Sequence, residues 1–496
     1  MRKATKLSKG KWYGASFTAA FVLIFASENA MAAHPQETSF SFHLSLSKEQ
    51  LSKKQASIDI TVPSNYRRFE APKWYGGAPN FLKFVSDISA TDSAGRRLST
   101  KIKDNIVEVA ATKSASFTLH YSYNIPQSIS GQLDFALPVL NESYARFDNN
   151  LTFLEPKGAA MQAAKLSISA PSGWEFQTGW GADREISIQH LSDLISGMIV
   201  MGHYDYSRAK VGNSQVVFAI IGDYSHETIK SEFCKVLQSQ QEIAGDLPSQ
   251  HLLVAFIPTS MDSCKGTSLS NALSVCIPLK EKLTPFNFAV IGTTSHELFH
   301  QWNLRYARPK SDKGVYLLTE GFTNHFAITA LARAGLISEE RFGRHLCRYR
   351  KLLTDNPKYP SDYATIQAGL EKDANLFDLC YTKGPFVALL LDLALREDTG
   401  NKESLASWFR TLCQKFGGSS GYEVADLRAL VAKVSGKQDG LAVKTFDTAF
   451  LGGKALDLDE LFSKLGITCD SERNCHLLDL SKDAANIRTK VFKAEN

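Results

Sequence analysis

The 496-residue chain is expected to be an α+β multidomain protein, an N-terminal all-β domain followed by a mostly helical one. Three observations predict this. Several segments between residues 34 and 224 alternate apolar and polar residues, the period of strands with one buried face. After Asp223 that period gives way, and from Phe286 onward apolar residues recur at helical spacing. The length itself suits two or three domains, and a hydrophobic content of 44% with 22% charged residues supplies enough core for each.

The first 32 residues stand apart from both domains. Arg2, Lys3, Lys6, Lys9 and Lys11 precede an apolar run from about Phe17 to Ala26, and Ala30-Met31-Ala32 follows with the small residues that a signal peptidase accepts. The run is too short to span a bilayer, so residues 1–32 are expected to be a signal peptide cleaved after about Ala32. The chain is then exported, periplasmic or secreted, with no stable membrane insertion once the signal is gone. Losing this segment removes five basic residues and Glu28, leaving 51 basic against 50 acidic residues. A net charge of +1 offers no electrostatic footprint for nucleic acid. Eight cysteines in an exported chain permit disulfides, with Cys469–Cys475 and Cys264–Cys276 as the favoured local pairs.

The expected β domain covers residues 33–224. Phe40, Phe42, Leu44 and Leu46 alternate with polar neighbours, as do Ile58, Ile60 and Val62, and then Phe117, Leu119, Tyr121 and Tyr123. Shorter strands are expected near Leu166–Ile168, Met198–Met201 and Val216–Ile221, with Pro, Gly, Asn and Ser clusters between them. Residues 225–455 form the expected second domain. It opens with a helix near Thr228–Ile243 and a buried strand at Leu252–Ile257, and Ser263–Ser270 looks irregular. Later helices are expected near Lys383–Arg396, Glu403–Phe416, Val424–Val434 and Leu458–Leu465, while residues 456–496 are taken as a C-terminal tail.

The chemistry concentrates in His296-Glu297-Leu298-Phe299-His300. On a helix, residues four apart share a face, so His296 and His300 can hold a zinc ion and Glu297 can take a proton from water beside it. With 12 His and 51 acidic residues, chance alone would supply roughly 0.03 such motifs, too few to explain it. A catalytic zinc needs a third protein ligand and an open position. Pro309 and Gly314 break the chain, and a helical pattern then runs from about Val315 to Ala334 with Glu320 near its start. A helical hairpin would bring Glu320 to the metal as third ligand, and Asn324, one turn on, would bond the outer nitrogen of a ligating histidine. Arg305 and Arg308 are expected to pair with acids or to bind a substrate carboxylate. His325, Trp302 and Asn303 suit packing better than chemistry.

Taken together, His296-Glu-Leu-Phe-His-Gln-Trp-Asn303, Arg308-Pro309 and Glu320-Gly-Phe-Thr323 resemble the glycyl aminopeptidase family of gluzincin zinc metallopeptidases, whose pattern runs H-E-x-x-H-x-W-N, R-P, E-G-F-T. The resemblance implies a thermolysin-like catalytic domain, one Zn2+ per chain held by His296, His300 and Glu320, and Glu297 as general base. Tyr381-Thr-Lys383-Gly384 matches the family's Y-x-K-G at the head of a helix, which implies that Tyr381 stabilises the oxyanion. The implied substrate is a peptide or protein. The family's G-G-[LM]-E-H, whose glutamate binds a free amino terminus, has no counterpart. Ser263-Cys-Lys265-Gly-Thr-Ser-Leu269 stands there, with no acid between Asp262 and Glu281. An endopeptidase, or a non-catalytic zinc-stabilised peptide-binding protein, is therefore the alternative to an aminopeptidase-like hydrolase. The family's usual C-terminal PDZ domain has no room in the 31 residues after Leu465.

Overall fold

The computed structural model describes residues 40–477, except 73, 76–77, 80, 126–136, 205, 280–287, 311–314, 371, 419–420 and 471–474, together with residues 489 and 491. The expected signal segment lies outside the described residues. From Phe40 the period-two pattern folds as predicted. Phe40–Ser45 pairs antiparallel with Gln55–Pro63 and parallel with Ala164–Ser169, and Ser116–Asn124 pairs with the far side of Gln55–Pro63. Leu44 faces Ile58 and Ile58 faces Tyr121 across the ladder, so one apolar row crosses three strands of a seven-stranded sheet. Phe42, Leu44, Ile58, Ile60 and Leu119 in this row are wholly buried. Two four-stranded sheets and a two-stranded ribbon of Trp74–Tyr75 with Ala78–Pro79 accompany it among the described residues. One of the four-stranded sheets carries β1 (Tyr144–Asp148), paired with Met198–Gly202.

β structure continues beyond residue 224. A five-stranded sheet joins β2 (Tyr206–Val211) and β3 (Ser214–Ile220) to β4 (His251–Thr259), β5 (Lys265–Leu269) and β6 (Ala272–Pro278), in the order β2-β3-β4-β6-β5. α1 (His226–Ala244) makes the crossover between the parallel strands β3 and β4. Both faces of this sheet are covered, which explains the unbroken apolar runs in β3, β4 and β6. Phe218, Val254, Phe256 and Val275 join the helical core, whereas Val217, Ala219, Leu253 and Ala255 pack against Tyr144, Met198 and Val200 of the β region.

The segment expected to be irregular is instead β5, the edge strand. Lys-Gly-Thr-Ser-Leu has no apolar alternation to reveal it, and pairing with the all-buried β6 makes it a strand. The helical region then supplies α2 (Phe288–Phe299), α3 (Gly321–Arg333), α4 (Glu339–Thr354) and α5 (Ala374–Thr399). Ser338 caps α4 as its sequence promises, its side chain accepting from the Arg341 N–H. α5 corrects a second expectation. It starts at the Asp373 cap rather than near Lys383, so Tyr381 sits inside the helix and not at its head. The disulfide joins Cys347 to Cys469 across 122 residues, which takes Cys469 away from the expected Cys475 partner although the two face each other across a short hairpin. Cys264 and Cys276 remain thiols.

Candidate metal centre

α2 is apolar on nearly every side because it runs through the centre of the domain. Val290, Leu298 and Phe299 are buried, and Ser295 ties the helix to α3 by donating to the Ala327 carbonyl at 2.9 Å. Glu297 shares that burial, at 8% exposure. His296 lies in the last regular turn, and His300 follows in the turn that closes the helix, its N–H reaching the His296 carbonyl. The chain then doubles back. Trp302 anchors it by donating to the Asp246 carbonyl at 2.9 Å, and the buried Asn303 amide donates to the Leu318 carbonyl at 3.1 Å and the Thr323 hydroxyl at 3.0 Å. Asn303 thereby clasps the segment carrying Glu320, a role that its sequence neighbourhood does not disclose.

One ligand atom from each of His296, His300 and Glu320 lies within 4.8 Å of the others, the one such three-residue grouping among the described residues. Nε2 of His296 and Nε2 of His300 are 3.0 Å apart, and Glu320 Oε2 is 3.2 and 3.4 Å from them. The outer nitrogens are both committed. Asn324 Oδ1 accepts from His296 Nδ1 at 2.8 Å, and the Asn303 carbonyl accepts from His300 Nδ1 at 3.0 Å. In the neutral rings the two Nε2 lone pairs then face each other with no proton to share, an arrangement that calls for a common cation. Two imidazoles and a carboxylate, with the ligating side chains 5–13% exposed, suit a catalytic zinc with one position left open. His325 is buried on the next position of α3 and takes no part in the group.

Charge is distributed unevenly around the group. Burial opposes ionisation of Glu320, yet His300 and His296 beside it hold its carboxyl well below the usual range. Glu297 goes the other way: burial pushes it up to about 7, reinforced by Glu320 and countered by His296 and Arg305. Tyr381 stacks on His296 with ring centroids 6.2 Å apart, and burial with the two glutamates raises its phenol far above the ordinary value, so it remains a donor at neutral pH.

The floor of the site is fixed by two close approaches. A Cβ on Gly321 would lie 2.5 Å from Cα of Gly384, so the glycines of Glu320-Gly-Phe-Thr and Tyr-Thr-Lys383-Gly are where α3 and α5 touch backbone to backbone. The residue before Gly384, Lys383, is fully buried and donates to the carbonyls of Ser361 and Gly452 at 2.9 and 3.0 Å. Burial lowers it to about 8, and Asp362 limits the fall. On the opposite side, a Cβ on Gly266 of β5 would run into Cγ of Glu297 and come within 2.9 Å of its carboxyl carbon. The edge strand therefore lies directly against Glu297. Gln301 holds it there with amide bonds to Ser268 Oγ at 2.8 Å, Leu269 O at 3.0 Å and Ala272 O at 3.1 Å, and Arg305 donates to the Ser268 carbonyl. Gln301 went unmarked in the sequence because a buried amide after the second histidine has no periodic signature. Arg308 contributes its backbone, whose carbonyl accepts from Tyr422 at 3.0 Å.

Comparison with known proteins agrees with this geometry. The family model of the Peptidase M61 N-terminal domain matches residues 41–191, and that of M61 glycyl aminopeptidase matches residues 289–359. No curated protein matches the chain. Among solved structures, an aminopeptidase N family protein from Idiomarina loihiensis has a TM-score of 0.70 at 18% identity, covering 86% of this chain and 78% of its own. An M1 zinc metallopeptidase from Deinococcus radiodurans gives 0.57 at 14% identity over 85% and 95%. Yeast LTA4 hydrolase in complex with bestatin gives 0.56 at 14% identity over 84% and 68%. At these identities the structures speak for the fold alone, a β-rich region leading into a helical one. Two stretches of the sequence thus match models of the M61 family, and the fold is similar to that of M1 zinc metallopeptidases.

Proposed function

We propose that this chain is an exported zinc metallopeptidase that hydrolyses peptide bonds, with His296, His300 and Glu320 as metal ligands. The observation that carries the reading is the convergence of those three ligand atoms beside Glu297, with Tyr381 stacked on His296. When bound, a zinc ion supplies Lewis acidity, polarising a carbonyl and lowering the pKa of water toward neutrality. The chain's own groups do the rest. Glu297, displaced to about 7, is matched to accept a proton from attacking water and return it to the departing amine. Tyr381 keeps its proton and donates to the oxygen on which negative charge develops. Packing of α2, α3 and α5 holds these groups in place before substrate arrives.

Specificity follows from β5. Lys265 begins this strand one residue before Gly266 meets Glu297, and it is exposed. Burial raises the carboxyl of Asp378 on α5 above the ordinary range, and the charge of Lys265 opposes that rise. The strand that borders Glu297 thus opens with a cation and not an acid, which favours cleavage within a peptide over strict removal of its first residue. Export is supported by the basic and apolar N-terminal sequence and by the Cys347–Cys469 disulfide. No helix among the described residues is long and apolar enough to cross a membrane.

The test is Glu297→Gln with metal analysis, alongside hydrolysis of one peptide in free and N-acetylated form. Retained zinc with lost hydrolysis is expected, as is cleavage of the acetylated peptide. Wild-type protein that holds zinc and cleaves neither peptide would favour the non-catalytic binder. Cleavage of only the free form would restore the aminopeptidase.

A further inference from the structure

Helix α5 contains Pro385 in its interior. Proline has no N–H, so the carbonyl four residues earlier loses its helical partner, and that carbonyl belongs to Tyr381. Backbone carbonyls in a packed interior need a donor. The structure supplies one from the neighbouring helix: Asn324 Nδ2 on α3 donates to Tyr381 O at 3.2 Å. The other end of the same amide, Oδ1, accepts from His296 Nδ1 at 2.8 Å. Both bonds together fix which way the amide points, since its nitrogen is the only end that can serve a carbonyl. The Gly321–Gly384 contact brings α3 and α5 close enough for a side chain as short as asparagine to span them.

We propose that Asn324 is a positioning residue that couples the ligand His296 to Tyr381, and that Pro385 creates the acceptor through which the coupling runs. The inference rests on the peptidase reading for the role of Tyr381, while the bridge itself does not depend on it. One planar amide sets the tautomer and ring plane of His296 and the height of the α5 backbone at Tyr381. A shift of either group is passed to the other through it.

The two arms can be cut separately. Asn324→Leu removes both and is expected to weaken zinc retention against a chelator by about 10–100-fold. Asn324→Asp keeps the acceptor for His296 and removes the donor to Tyr381. Zinc retention is then expected to stay within about threefold, while kcat falls by about tenfold with little change in KM and the melting temperature drops. Pro385→Ala returns an N–H to the helix. In the Asn324→Asp background it is expected to recover most of the lost kcat and melting temperature, while leaving zinc retention where it was. A Pro385→Ala change that is well folded but recovers neither quantity overturns the proposal, as does an Asn324→Asp protein with wild-type kcat and melting temperature. If wild-type protein cleaves no peptide, the peptidase reading fails, and the melting temperatures of the four proteins still decide whether Pro385 and Asn324 are coupled.

Discussion

Among the described residues, two of the buried clusters of charge are built on opposite plans. On β1, Arg146 and Asp148 are sealed between the β region and the five-stranded sheet at no more than 1% exposure. Arg146 donates to Ser274 Oγ at 3.0 Å and to the Leu137 carbonyl at 2.6 Å, and its Nε lies 3.4 Å from Asp148. Neither oxygen of Asp148 accepts a hydrogen bond from a described residue, and burial pushes its carboxyl up to about 6 against the pull of Arg146. At the metal centre, Glu320 is displaced downward despite burial, because two imidazoles converge on one of its oxygens. The difference shows that burial of charge does not by itself make a site. What marks the candidate metal centre is convergence of lone pairs, outer atoms already tied down, and converging side chains left 5–13% exposed.

The largest effect that could break this comparison is at Glu297. Glu297→Gln is expected to lower kcat by about 10²–10⁴-fold with zinc retained, measured by hydrolysis and metal analysis together. A small loss would mean that the convergent cluster holds metal without catalysis. Next comes the sealed pair. Arg146→Met leaves Asp148 buried alone and is expected to cost about 3–5 kcal/mol in urea unfolding at neutral pH, with kcat of the folded protein unchanged. That loss should shrink toward pH 5, where Asp148 can take a proton; a pH-independent loss would show that the pair is held by packing and not by charge. Gly384→Ala forces a methyl against the Gly321 backbone and is expected to cost about 1–3 kcal/mol and to lower kcat as well, since Glu320 and Tyr381 flank the contact. An unchanged melting curve would show that α3 and α5 can part.

The smallest expected effect concerns His325, a buried ring that belongs to neither cluster. Burial holds it down to about 4, countered by Asp392 and helped by Arg333 and Arg396. Below about pH 6.5 the unfolded chain takes up a proton there that the folded chain refuses, so stability falls as pH drops toward 4. Between pH 8 and 5 this amounts to about 2 kcal/mol. His325→Leu should lose correspondingly less stability over that interval in paired urea titrations, and an identical pH slope in both proteins would rule the histidine out as the cause.

Much of this arrangement can be read from residues whose pattern is local. The His296–His300 spacing, the alternation around Phe42 and Ile58, and the break before Glu320 all announce themselves, because spacing and breakers act over a few residues. Asn324 was legible too, since one helical turn from Glu320 puts it on the same face. What could not be read depends on partners far away. Lys265–Leu269 is a strand only because β6 pairs with it, and its contact with Glu297 needs the whole sheet in place. Lys383 carries a charge that suggests solvent, yet two carbonyls from distant loops, Ser361 and Gly452, enclose it. The resemblance to Y-x-K-G puts Tyr381 at the head of a helix, whereas the Asp373 cap opens the helix earlier and Pro385 is accommodated within it.

The meeting of Gly321 with Gly384 has a consequence for how this site can vary. When two side chains touch, a larger one on one helix can be offset by a smaller one on the other, and a core can drift by such exchanges. Here both partners are already at the minimum size, and what each would meet is backbone. Nothing remains to be traded. The two helices that carry Glu320 and Tyr381 are locked at one spacing, and a change of specificity must come from surfaces such as β5, which borders the site without setting that spacing.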